Sequence, residues 1–477
     1  MERLDREPQD KEFFSLFVTA VKDGVEIVRT LEANKKYIGS HFDWPTISYT
    51  ENGMPSFSQT IFSGTTNYGE PFRKGSSATV DYTTIPSFMM LINYLKSKDE
   101  FYKHLGVPEH AMIAGINFFE ISAVMLITNT IDRYMHLYRD DPFSESLILP
   151  MYLLIENSIF HNDLNINILI PILLLNFDSD NIQFDNGFSI VRMTDDFQLA
   201  RVLNRGLALG IHHFVSDSAT HAFVIKNWHI KNNGFWDVTN GLSNIANYPI
   251  HHIDTFFAAL RIVTGLYTGY AQILSQPIDW AFRFTAYLPP VHGITTRSYP
   301  KWFDEGHWRS TLPIVTYQQA IEIGNIFSKL LNMNVNEVGI AARRLNMCLS
   351  RDNEEDSILD ATIAMETLLS DDERQEMTHK LALRMAAISR LLPDQEFTPL
   401  EIYQIVKHIY AYRSAIVHGS SKATKKREFT FRDNKKISTV KVAVELLRMA
   451  LKILLLNPEY LKPVKIDEEL LLGSFTN

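Results

Sequence analysis

Arg413 and His418 stand five residues apart in the segment TPLEIYQIVKHIYAYRSAIVHG, residues 398–419. A guanidinium can hold phosphate oxygens through two donors at once and stabilise the charge that develops on them. An imidazole titrates near neutral pH and can give or take a proton during phosphodiester cleavage. The two are therefore the candidate catalytic pair. At 100° per residue, Ile402, Ile405, Val406, Ile409 and Ile416 form one apolar stripe, and Arg413 projects from its middle. A guanidinium aimed at a core is costly unless it meets an anion or a polar cavity. His418 closes the helix, where the dipole and the free carbonyls favour an imidazolium. Five residues are about 140° around an ideal helix. The pair shares a face only if the helix frays at its end or if the site is composed across a dimer.

The elements that position this pair carry clear punctuation. Thr398 is a natural N-cap, Pro399 takes the first helical position, Glu401 completes a capping box, and Gly419 suits the left-handed residue that ends a helix. On the helix expected over 374–392, Arg384 falls inside the stripe of Met377, Leu381, Ile388 and Leu391. On the one expected over 356–370, Glu366 flanks the stripe of Ile358, Thr362, Met365 and Leu369. Two arginines and a glutamate thus converge on the inside of a helical bundle. A buried Arg–Glu pair that only fixes helix register is the competing explanation. As a bare string the Arg-x4-His spacing is weak, and Arg374–His379 repeats it. That copy opens a helix in an acidic segment and lacks the flanking pattern.

Formal net charge is −9, but the sign is unevenly distributed. Ten acidic residues face one basic residue, Arg374, between Asp352 and Glu376, whereas eight basic residues face Glu428 and Asp433 between Lys422 and Lys441. A local basic patch can hold a phosphate backbone whatever the global sum. The plain alternative is a solvated loop with no ligand.

Over 477 residues the chain is 45% hydrophobic and 21% charged, enough for two or three globular domains. The only cysteine, Cys348, excludes an intrachain disulfide and a thiolate zinc site. The charged start MERLDREPQDKEF is no secretory signal, and apolar stretches such as Ile168–Leu175 are too short to span a bilayer. The chain reads as soluble and cytoplasmic, with no membrane association. Periodicity predicts helices over 11–34, 86–106, 109–138 and 253–274, a strand over 46–50, and strand character over 165–177 and 221–230. A hairpin turns at Asp185-Asn186-Gly187, and Thr194 caps a helix to about 204. From about 313 onward the pattern is helical only: 316–332, 335–350, 356–370, 374–392, 399–418 and 438–456. The expected fold is α+β and mainly α. It comprises a mostly helical region 1–140, an α+β region 141–312 and an all-α bundle 313–465, with the last boundary inside 289–313.

Three ordered blocks of the bundle, LDATIAMETLL (359–369), KLALRMAAI (380–388) and YRSAIVHG (412–419), resemble the Apea-like branch of the HEPN superfamily, and AARRLN (341–346) is similar too. The resemblance covers roughly the last third of the chain. It implies a helical bundle that dimerises and joins two Arg-x4-6-His motifs into one composite site. It also implies metal-independent RNA cleavage by attack of the ribose 2′-hydroxyl on the adjacent phosphate. Arg413 and His418 match the motif residues; Glu366 and Arg384 match supporting positions. Ser414 follows the arginine where the family often carries Asn, Asp or His. The resemblance further implies a role as a regulated defence or toxin effector, with an upstream region that senses a protein or ligand trigger. The basic segment then supplies a backbone clamp for RNA, from Lys422, Lys425, Lys426, Arg427, Arg432, Lys435 and Lys436. No cofactor is expected. A catalytically silent dimerisation or partner-binding module is the rival reading, and a separate enzyme or small-molecule sensor in the N-terminal region is a third.

Elsewhere the residues offer little chemistry. His212, His213, His221, His229, His251 and His252 are conspicuous, with His221 and His229 on one face of a strand, yet no carboxylate or cysteine spacing supports a metal and none is assigned. The six tryptophans read as packing. GEPFRKGSS (69–77) has the wrong glycine spacing for a phosphate loop.

Overall fold

The computed structural model describes residues 6–42, 44–59, 64–73, 80–107, 117–204, 210–306, 312–333, 335–371, 376–392, 396–420, 423–430 and 436–473. Helix makes up 58% and strand 16%, so the chain is α+β and mainly α, as its sequence predicts. Among the described residues no helix is long and apolar enough to cross a membrane.

Two compact units emerge, each assembled from separate stretches of sequence. The first combines Met1–Pro171, Gly187–Tyr248 and Gln272–Thr296; the second combines Ile172–Asn186, Pro249–Ala271 and Arg297–Asn477. Three consecutive blocks were the sequence expectation, and the difference is one of long-range packing. Local periodicity says which face of an element is apolar but not which distant element covers it. The last crossover between the two units falls between Thr296 and Arg297.

In the first unit, α1 (Lys11–Ala33), α2 (Pro86–Lys96), α3 (Asp99–Leu105), α4 (Phe118–Tyr138) and α5 (Glu145–Phe160) enclose a core that includes Phe13, Phe17, Phe88, Ile127, Tyr152 and Leu153. Asp10 caps α1 by accepting from the Phe13 amide, and Phe13, Phe17, Val21, Val25 and Val28 descend its buried face at helical spacing. Sequence reading passed over α5, and the reason is physical. Nearly every residue from Ile148 to Ile159 is buried, so no polar face breaks the apolar run into a 3.6-residue period.

The hairpin β1 (Pro45–Tyr49) and β2 (Pro55–Gln59) stands apart from the main sheet. Within the first unit that sheet runs in the order β4 (Phe188–Arg192), β5 (His221–Lys231), β3 (Asp163–Pro171), β6 (Tyr270–Ile278) and β7 (His292–Ser298). β3 is antiparallel to β5 and to β6. Helix α6 (Asp195–Leu203) starts at Thr194, whose hydroxyl accepts from the Phe197 amide. Two expectations need correction. The β3–β5 register shifts between Ile166 and Ile168, and Asn227 adopts φ +55°, so the inside–outside alternation of β5 breaks. His221 is consequently fully buried while His229 is exposed, and the two do not form one face. The helix expected over 253–274 is α7 (Ile250–Thr264), stopped by left-handed Gly265 at φ +67°; from Tyr270 the chain is strand.

The second unit is a helical bundle of α7 with α8 (Tyr317–Asn332), α9 (Asn336–Ser350), α10 (Glu354–Leu369), α11 (Met377–Ser389), α12 (Pro399–Val417) and α13 (Thr439–Leu456). Helix α7 packs on α8 and α9, so an element expected in the α+β region 141–312 belongs to the bundle. The unit is not purely helical: β8 (Glu428–Thr430) and β9 (Lys436–Ser438) pair antiparallel, and Asn176–Phe177 pairs with Ile314–Val315. Asp360, buried on α10, receives Arg344 and Arg351, and Asn346 accepts from buried Arg261. The AARRLN block therefore serves bundle assembly.

Candidate functional site

Helix α12 begins and ends as its sequence dictates. Thr398 and Glu401 form the reciprocal capping box with Pro399 behind them. At the far end Gly419 has φ +60°, its amide donates to the Ile416 carbonyl at 3.0 Å, and the Ser420 amide donates to the Ala415 carbonyl at 2.8 Å. That is a Schellman closure, and it makes His418 the C-cap. The backbone of His418 is thus held while its side chain stays exposed. Ser414 is exposed as well.

Packing of α12 on α10 and α11 sets the surroundings of Arg413. Its side chain is half-buried at 35% exposure, and its Nη2 lies 3.8 Å from Glu366 Oε1 on α10. The Arg413 Nε is buried and has no hydrogen-bond acceptor. At 3.8 Å the ion pair is loose: charge-assisted hydrogen bonds close to about 2.7–2.9 Å. Tyr410, one turn back, is buried, and burial and then the Glu366 charge push its phenol well above the usual range. It remains a neutral donor, with its hydroxyl 3.4 Å from the Thr362 carbonyl. The cluster Arg413, Glu366 and Tyr410 holds a cation in place without consuming its donors. That arrangement can receive an anion.

Arg384 is placed otherwise. It is almost fully buried and meets three partners: Asp467 through Nε at 2.9 Å and Nη2 at 2.6 Å, Asp371 at 2.6 Å, and the Leu369 carbonyl at 2.7 Å. The last of these caps the C-terminus of α10 with a cation, where the helix dipole is negative. Its role in this geometry is to tie α10 to the segment Ile466–Leu471, which lies beyond the predicted end of the bundle at 465. The structure brings Arg413 and Glu366 together but commits Arg384 to other anions. Among the described residues no hydrogen bond or ion pair joins Arg413 to His418, in keeping with their five-residue offset.

Of the predicted backbone clamp, Lys422, Arg432 and Lys435 lie outside the described residues. Lys426 donates to the Ala411 carbonyl at 3.1 Å, Arg427 pairs with Glu354, and Lys436 lies 3.7 Å from Glu428. Lys425 is exposed. The acidic and basic segments therefore meet at Arg427–Glu354, a pairing that opposite charge density permitted but sequence distance concealed. Both side chains are more than two-fifths exposed, so this pair is weak and open to exchange. The decoy histidine, His379, contacts the Tyr403 hydroxyl through Nδ1 at 3.0 Å; Arg374 lies outside the described residues.

The six histidines between 212 and 252 join no group of three metal-ligating side chains among the described residues. Among the described residues the grouping able to hold an ion is His41, Asp132 and His136, which the sequence reading did not assemble. Burial pushes the Asp132 carboxyl up, but hydrogen bonds from His136 and His41 outweigh it and hold the group down at about 2. The legible part of this signal was Asp132-x3-His136, one turn apart on α4; His41 arrives only through the fold.

An α+β chain whose helical unit presents a loosely held arginine, five residues before the histidine that ends its helix, is the class that fold and site define. Comparison with protein-family models, curated proteins and solved structures found no match to this chain.

Proposed function

We propose that the chain is a metal-independent endoribonuclease of the HEPN type, acting as a homodimer and governed by its N-terminal region, in a defence or toxin role. The observation that carries this reading is the half-buried Arg413 guanidinium, loosely paired at 3.8 Å with Glu366, five residues before an exposed imidazole at the helix end. In the reaction the ribose 2′-oxygen attacks the adjacent phosphorus and the bond to the 5′-oxygen breaks, leaving a cyclic phosphate. One His418 accepts the 2′-hydroxyl proton, and His418 of the second copy protonates the departing oxygen. Arg413 stabilises the charge on the non-bridging oxygens.

Two copies are needed because Arg413 and His418 of one helix project about 140° apart. Val417, 57% exposed beside His418, is an apolar side chain that a second copy would cover. Val417→Asp is expected to lower both dimer content, by light scattering, and specific activity at the same concentration. A dimer that persists with full activity would remove this face from the interface. Excess EDTA is expected to leave the cleavage rate unchanged within about twofold, and products should end in cyclic or 3′-phosphate. Cleavage abolished by EDTA and restored by a divalent ion would overturn the metal-independent route.

The rival, a silent dimerisation or partner-binding module, draws on the commitment of Lys426, Arg427 and Lys436 to partners within the chain. Growth arrest on expression in bacteria, lost in His418→Ala, favours the nuclease; equal growth of both favours the rival.

A further inference from the structure

We propose that the first unit binds one divalent first-row metal ion of the zinc or iron(II) class through His41, Asp132 and His136. Two imidazoles and one carboxylate form a donor set suited to ions of borderline softness. Asp132 and His136 are four residues apart on α4 and therefore point from the same face. His41 comes from the loop after α1, held there by its amide's 2.8 Å bond to the Thr65 carbonyl and by the Ser40–Thr66 bridge.

The three donor atoms already lie within 4.8 Å of one another. His41 Nε2 is 2.9 Å from Asp132 Oδ2, and His136 Nε2 is 3.5 Å from Asp132 Oδ1. Metal–ligand bonds of about 2.0–2.2 Å set neighbouring tetrahedral donors about 3.3 Å apart, so these spacings need only small adjustment. In the metal-free chain His136 Nε2 lies 2.9 Å from the Thr66 carbonyl, which accepts its N–H; an ion would displace that proton.

The shell around the carboxylate is built rather than incidental. Asp132 accepts the Tyr68 amide at 2.8 Å and the Ala286 amide at 3.1 Å, which fixes its orientation. Ala286 sits at φ +46°, a left-handed strain for a residue with a side chain, and the strain coincides with an N–H aimed at Asp132. Gly69 lets the Tyr68 strip lie on α4, because a Cβ there would come within 2.7 Å of the Thr128 carbonyl. Trp44, Tyr68 and Tyr287 place rings around the two imidazoles at 5.1–6.1 Å between centroids and limit water. The histidines themselves are 16% and 10% exposed, which leaves a route for an ion at the His41 edge.

The test uses the full-length chain, stripped with EDTA, dialysed and titrated with Zn²⁺ by calorimetry, with Fe²⁺ under anaerobic conditions, and with Co²⁺ by visible absorption. One equivalent is expected to bind, with intense Co²⁺ bands of low coordination number. His41→Ala and His136→Ala should each weaken binding at least tenfold, and His229→Ala, an exposed histidine elsewhere, should leave it unchanged. Tighter Fe²⁺ than Zn²⁺ binding supports the site and selects the ion. His41→Ala alters only a loop position, so circular dichroism matching wild type keeps the result interpretable if His136→Ala does not fold. No uptake by the wild-type chain, or uptake indifferent to both substitutions, overturns the proposal and reduces the trio to a charge network around Asp132.

Discussion

Replacing Arg413 with alanine is expected to lower RNA cleavage by about 10²–10³-fold, the usual consequence of deleting a preorganised donor to a developing negative charge. Because the side chain is 35% exposed and, among the described residues, its one ion pair is the 3.8 Å approach to Glu366, the substitution removes little packing. Stability should change by no more than about 1 kcal/mol, the ceiling for partly exposed pairs. His418→Ala is expected to cost about 10²–10⁴-fold, as loss of a proton-transfer group does, with no stability penalty from an exposed side chain. The measurement is cleavage of end-labelled RNA by purified wild type, each variant and the pair. A composite site predicts that the double variant is scarcely worse than either single one. Wild-type cleavage surviving in both single variants would dismiss the mechanism.

The second large effect concerns stability. Arg384→Ala is expected to destabilise the helical unit by about 2–4 kcal/mol, near the range seen when one partner of a buried pair is removed and slightly discounted because Asp467 and Asp371 are 35% and 21% exposed. The substitution leaves two carboxylates facing each other and strips the Leu369 carbonyl of its donor. Arg384→Lys should recover part of the loss, since an ammonium keeps the charge but not the bidentate grip on Asp467. Urea unfolding followed by far-ultraviolet circular dichroism reads the effect. A loss of cleavage with unfolding midpoint unchanged would instead move Arg384 into the site, as the family resemblance implies.

What was legible in the sequence was what local physics decides. The capping box at Thr398 and Glu401, the left-handed Gly419 and the N-cap at Thr194 each depend on side chains within a few residues of the backbone they satisfy, and each is found. The six long helices described from 317 to 456 follow from periodicity and short breakers. A segment buried on all sides escaped, because α5 has no polar face to mark a period. The stop of α7 was misread because Gly265 needed a positive φ that its apolar surroundings did not announce.

Only the tertiary structure decided which charges meet. Arg384 and Arg413 carry the same signature, an arginine on an apolar helix face. One is neutralised by Asp467, 83 positions away, and the other is left in a loose pair with Glu366. His41 reaches Asp132 across 91 positions. Such pairings depend on how helices and loops stack, and an ion pair has no preferred sequence separation, so no local pattern can encode it. The sequence by itself determined where the elements begin and end and which side chains bear charge on a buried face. Packing determined which of those charges are satisfied and which remain to bind something else.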